Sequence, residues 1–186
     1  MYDRDALRQL IHDEALKRGS FTLASGKSSH YYLDCRKATL DSRGAQLIAA
    51  GILELVGDDL PDAVGGMAIG ADPITAAVIT LAAVRGSHLR GFIVRKETKT
   101  HGTSQQVEGP VQPGDCVVIV EDVVTTGGSS LQAIGHARQF GLDVVSVVSV
   151  VDRLEGGAAV FAEQGIPFQS LFTIRDFGLE PVAGSS

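Results

Sequence analysis

The residues best suited to chemistry stand close together: Glu121 and Asp122, then Val123 and Val124, then Thr125, Thr126, Gly127, Gly128 and Ser129. Glycines let a backbone turn tightly and bring bare N–H groups up to a ligand. A helix starting near Ser129 or Ser130 aims its unpaired amides and positive dipole end at the same point. Thr125, Thr126 and Ser129 add hydroxyl donors. Together these groups make a cradle for a phosphate. Glu121 and Asp122 would repel a phosphate, so they suit a neighbouring partner: ribose hydroxyls, with or without a divalent cation. No lysine follows the glycines, which separates the stretch from nucleoside-triphosphate loops. A plain strand-to-helix turn is the alternative, and it leaves the acids and hydroxyls without a use.

A second group is basic. Arg95, Lys96, Lys99 and His101 fall within seven residues of an acidic chain. Charge runs of this kind are commonly solvated loops. Beside an anion site, mobile cationic donors instead stabilise a departing diphosphate, most strongly in the transition state. Arg153 is the third candidate. It either pairs with its neighbour Asp152 or offers a planar guanidinium to a ligand's carboxylate.

Positioning these groups requires strands and helices in alternation. Residues 116–121 read as a strand, its aliphatic run buried on both faces of a parallel sheet, followed by a helix from about 129 to 140. Ala63–Ile69, Gly91–Arg95, Asp143–Val151 and 168–174 read as further strands. Helices are expected over 4–18, stopped by Gly19, and from Asp41 or Ser42 through Val56, stopped by Gly57. Another is expected with Asp72 as cap and Pro73 in its first turn, and a short one near 155–164. Phe21–Leu23 and Tyr31–Cys35 read as short extended pieces. Residues 97–114 are polar and aperiodic and read as a long loop, a length often tied to function.

This pattern predicts an α/β fold, a parallel sheet flanked by helices, with ligands beyond the carboxyl ends of the strands. Gly70-Ala71-Asp72, Arg95-Lys96, Glu121-Asp122 and Asp152-Arg153 all fall at such ends. The chain reads as a single domain, 1–186, with an α/β core over about 41–154. Segments of about 1–40 and 155–186 break the alternation and are expected to form a small hood over that edge.

The 186 residues suffice for one substantial core. A net charge of −6 argues against a general nucleic-acid binder. Cys35 and Cys116, both placed in strands, make no disulfide framework and favour a reducing cytoplasm. No apolar stretch reaches membrane-spanning length, and Met1-Tyr2-Asp3-Arg4 lacks a signal pattern. Neither nucleic acid nor membrane is therefore expected as a partner. His12, His30, His88 and His136 have no metal-ligand spacing.

The stretch 121–129 resembles the ribose-phosphate signature of the type I phosphoribosyltransferases, which use phosphoribosyl pyrophosphate (PRPP). Arg95-Lys96-Glu97-Thr98-Lys99-Thr100-His101-Gly102 resembles the catalytic loop of the orotate phosphoribosyltransferase family within that group. Asp152-Arg153 matches its next strand end. Phe21-Thr22-Leu23-Ala24-Ser25-Gly26-Lys27 with Tyr31-Tyr32-Leu33-Asp34-Cys35-Arg36 resembles its hood. The resemblance therefore covers nearly the whole chain.

It implies transfer of the phosphoribosyl group to orotate, giving orotidine 5′-monophosphate and pyrophosphate in pyrimidine synthesis. It implies PRPP contacts from Arg95, Lys96, Lys99, His101 and the whole of Glu121–Ser129. Within that stretch Glu121 and Asp122 would hold the ribose hydroxyls, and Thr125 to Ser129 the 5′-phosphate. Thr125 and Arg153 would meet orotate, and Arg95, Lys99 and His101 would be catalytic. It implies Mg2+ held mainly through PRPP, and a homodimer in which Arg95, Lys99 and His101 act in the neighbouring subunit's site. Two positions depart from the pattern. Ala24 stands where many members carry lysine, and Asp72 lies in a turn where some do. A purine phosphoribosyltransferase and a PRPP-sensing regulator are rival readings. Arg153 and the basic loop disfavour the first, and Lys99 and His101 disfavour the second.

Overall fold

Val117 and Ile119 face one side of the central strand, Val118 and Val120 the other, and all four are buried. A strand with apolar residues on both faces needs a layer on each, which is the three-layer α/β arrangement. The structure is a computed structural model and describes residues 2–22, 28–96 and 106–182.

Its main sheet has six strands: β3 (Ala63–Met67), β4 (Arg90–Val94), β5 (Val107–Glu108), β6 (Cys116–Val124), β7 (Asp143–Asp152) and β8 (Phe168–Thr173). Their order is β5-β4-β3-β6-β7-β8. All neighbours are parallel except β4 and β5, which form an antiparallel edge. One face carries α3 (Ser42–Val56) and α4 (Ala71–Val84), with Ile48, Ile52, Ile74 and Val78 packed against Val118, Val120, Val148 and Val150. The other carries α5 (Gly128–Phe140) and α6 (Gly157–Glu163), with Ala133, Ile134, Ala137 and Phe161 against Val117, Ile119 and Val147. Each fully buried Val or Ile contributes roughly 1.5–3 kcal/mol, so the two layers hold β6 firmly.

The N-terminal segment forms α1 (Arg4–Leu10), a π-helical turn (Ile11–Ala15), the hairpin β1 (Leu16–Thr22) and β2 (Ser28–Leu33), and the short α2 (Arg36–Thr39). The expected helix over 4–18 thus stops at Ala15. Leu16 pairs with Leu33 and draws the chain into the hairpin. Gly19 is no helix stop; it lies in β1 where the register shifts between Arg18 and Phe21. Cys35 is not in a strand but precedes α2 as its cap residue, fully buried.

Other boundaries also moved. The cap of α3 is as expected: Asp41 accepts from the Gly44 N–H at 2.8 Å, and Gly57 ends the helix at φ 81°. Asp72 does not cap α4. That helix starts at Ala71 after Gly70, and Asp72 sits inside its first turn, where a negative charge suits the dipole. Part of the expected long loop is strand β5, hydrogen-bonded back to β4. The strand at 168–174, expected in the hood, lies in the main sheet as β8, beside β7. Parallel pairing needs a crossover, and α6 supplies it. Among the described residues no helix is long and apolar enough to cross a membrane.

Candidate functional site

Strand β6 runs past the acid pair to Val124 because β7 pairs with it as far as Val124 opposite Asp152. The chain then leaves the sheet through Thr125 and Thr126. Gly127 adopts φ 82°, a left-handed conformation in which a Cβ would also press on the Phe161 ring. Helix α5 starts at once. Thr126, Gly128 and Ser129 are exposed, and Thr125 is half-buried, so the turn is open to an anion.

Among the described residues no side chain caps the start of α5, α4 or α6. Helices α1 and α3 are capped, by Asp3 and Asp41. An uncapped first turn keeps its N–H donors and the positive end of the dipole for a ligand.

Beside the turn, Glu121 is buried, 5% exposed, and Asp122 half-buried. Ser130 Oγ, one turn into α5, donates to Glu121 Oε2 at 3.1 Å. Burial pushes the Glu121 carboxyl up to about 7; the Asp122 charge adds to this, and the Ser130 and Ser129 hydroxyls oppose it. Asp122 is also raised, again by burial. The turn after β3 closes on both acids: a Cβ at Gly70 would lie 3.1 Å from Asp122 Oδ1 and 3.2 Å from Glu121 Oε1. Two of the four expected strand ends therefore meet. A carboxylate pair fits a small hard cation that takes most of its oxygens from ligand and water. No group of three or more candidate protein ligands lies among the described residues.

Arg153 follows β7, and its backbone N–H donates to Val124 O at 2.9 Å. Its side chain is not paired with Asp152, which accepts from the Leu154 N–H. Nε donates to Tyr31 Oη at 3.2 Å, and the guanidinium carbon lies 5.1 Å from the Tyr31 ring centre. Nη2 reaches Glu155 Oε1 at 2.7 Å, an ion pair off the hydrogen-bonding direction. The hairpin is thus tied to the sheet at the end of β7. Asp34, just beyond β2, forms a forked pair with Arg36 at 2.7 and 3.0 Å, which holds its carboxyl below the usual range.

The basic group is only partly visible. Arg95 lies at the end of β4, paired with Glu108 of β5 at 2.8 Å, and its N–H donates to Gln106 O. Lys96 is exposed and lines a cavity of about 640 Å³ with Gln132 and His136 of α5. Lys99 and His101, like Leu23–Lys27 of the hood pattern, lie outside the described residues.

Sequence reasoning gave no site role to Ser130, Glu155 or Gly157, and placed Tyr31 in the hood without linking it to Arg153. Ser130 was within reach, since the helical register after the glycines turns it back toward the acids. Gly157 donates its N–H to Thr125 O at 3.0 Å and packs against the cradle, a long-range contact with no local signal.

No family model matches the chain. It is 56% identical over 185 residues to the orotate phosphoribosyltransferase of Rhodopirellula baltica, covering 96% of each. The solved Mycobacterium tuberculosis H37Rv orotate phosphoribosyltransferase with Fe(III) dicitrate superposes with TM-score 0.85 at 37% identity, covering 95% of this chain and 99% of that one. A structure of the same M. tuberculosis enzyme with PRPP gives TM-score 0.81 at 35% identity, covering 95% and 99%. A fold with its ligand edge as described, joined to identity of this level over nearly the full length, places this chain in the orotate phosphoribosyltransferase family.

Proposed function

We propose that the protein transfers the phosphoribosyl group of PRPP to orotate, giving orotidine 5′-monophosphate and pyrophosphate in pyrimidine nucleotide synthesis. The observation that carries this is the uncapped start of α5 behind the exposed Thr126, Gly128 and Ser129, set directly against the buried Glu121 and half-buried Asp122.

The 5′-phosphate sits in the Thr125–Ser129 turn, held by first-turn amides and hydroxyls. Glu121 and Asp122 accept from the ribose hydroxyls. Their negative charge also favours the positive character that C1 of the ribose gains as its bond to the diphosphate breaks. Orotate N1 forms the new bond to C1, and the electron pair of the old bond leaves with pyrophosphate. Arg153 takes the orotate carboxylate, with Thr125 beside the ring. Orotate ionises readily, so no strong general base is required. Mg2+, when bound, neutralises diphosphate charge and takes most of its ligands from the substrate. Lys96 serves the diphosphate of its own chain's site. Arg95, Lys99 and His101 reach that of the second protomer in a homodimer. The N-terminal hairpin serves as the hood, and the enzyme works in the cytoplasm.

The direct test follows loss of orotate absorbance on adding PRPP with and without Mg2+. Uracil, adenine and hypoxanthine are run in parallel. Magnesium-dependent turnover of orotate alone is expected. No loss of orotate, or preferred use of a purine, would overturn the proposal.

A further inference from the structure

The direction of a guanidinium is set by whatever holds its other edges. At Arg153 the Nε edge is taken by Tyr31 Oη, one face lies over the Tyr31 ring, and Nη2 is drawn to Glu155. Nη1 has no partner among the described residues. Arg153 is 9% exposed, and its backbone is fastened to Val124, so the side chain has little room to swing.

Tyr31 is itself held. It is 2% exposed, pairs with Arg18 across the hairpin, and its carbonyl accepts from the buried Ser29 Oγ at 2.6 Å. A buried phenol costs desolvation unless its hydroxyl is used, and here it is used on the arginine.

We infer that Tyr31 is a positioning residue for the orotate site: its hydroxyl and ring fix the plane of Arg153 so that the remaining guanidinium edge meets the substrate carboxylate. The hairpin thereby contributes to base recognition from a residue that acts through another. This rests on the reading of Arg153 as the orotate-binding arginine.

Tyr31→Phe keeps the ring and removes the hydroxyl. Steady-state kinetics are compared in four proteins: the wild type, Tyr31→Phe, Arg153→Lys and the double variant. In Tyr31→Phe, KM for orotate rises roughly ten- to hundredfold, the range expected for loss of one hydrogen bond to a charged group, with KM for PRPP unchanged. In the Arg153→Lys background the same change adds nothing, because lysine has no Nε for the phenol to hold. An equal effect of Tyr31→Phe in both backgrounds, or a parallel rise in KM for PRPP, overturns the positioning role and leaves the reading of Arg153 intact. An unchanged KM for orotate in Arg153→Lys overturns that reading and the inference together.

Discussion

Ser130 Oγ lies 3.1 Å from Glu121 Oε2, so the first turn of α5 is tied to the acid at the end of β6. The bond joins the turn proposed to take the phosphate to the groups that would hold the sugar.

Glu121 should give stability a pH signature. An unfolded glutamate titrates near 4.5, whereas this one titrates at about 7. Between those values the folded protein holds a proton that the unfolded chain has released. Stability therefore falls as pH rises through this window. Glu121→Gln cannot titrate and removes that slope. Melting curves should show the wild type losing ground to the variant from pH 4.5 to about 7, then running parallel. A constant gap between the two across the range would show that the carboxyl titrates normally.

Gly157 should matter to PRPP although it lies well outside the phosphate signature. A Cβ there would meet Val124 Cγ1 and come within 2.9 Å of Thr125 O. Gly157→Ala forces the turn to shift, at a cost of about 1–3 kcal/mol by denaturant unfolding. KM for PRPP should rise more than KM for orotate. An unchanged KM for PRPP would mean that the cradle tolerates displacement.

Lys99→Ala tests the proposed action on the departing diphosphate. A donor engaged mainly in the transition state lowers kcat by about 10²–10³ and leaves PRPP affinity nearly untouched. Kinetics paired with direct titration of PRPP decide the matter. Equal losses in turnover and affinity would assign Lys99 to ground-state binding.

Complementation tests the shared site. A Lys99→Ala chain and an Arg153→Ala chain should each be weakly active alone. If Lys99 serves the partner's site, a mixed dimer places both defects in one site and leaves the other whole. Random mixing makes half the dimers mixed, so roughly a quarter of wild-type activity returns. Mixtures no more active than their parts would place Lys99 in its own chain's site, or leave the chains as monomers.

Much of this was legible locally. The acid pair, the glycines and the start of α5 lie within one short run, and β6 announces itself by unbroken aliphatic residues. The cap of α3 was narrowed to Asp41 or Ser42, and Asp41 fills it. What escaped depends on partners distant in sequence. Cys35 looked extended because Tyr31–Leu33 before it is, yet the chain turns into α2 there. Asp72 has cap chemistry, but the backbone enters α4 one residue earlier. Strand β8 was placed in the hood because its segment reads as a break in the alternation, while the pairing of Val147–Asp152 with Phe168–Thr173 puts it in the sheet. Glu155 carries no motif of its own, and the hood pattern around Tyr31 does not point to Arg153; only folding brings them together.

Two backbone hydrogen bonds, Arg153 N–H to Val124 O and Gly157 N–H to Thr125 O, lock the segment after β7 to the segment after β6. On the proposed reading they set a fixed span between the turn that takes the phosphate and the arginine that takes the base. Nucleobases of another size would then be refused by span as well as by charge. Retargeting the enzyme would mean recutting both ends together.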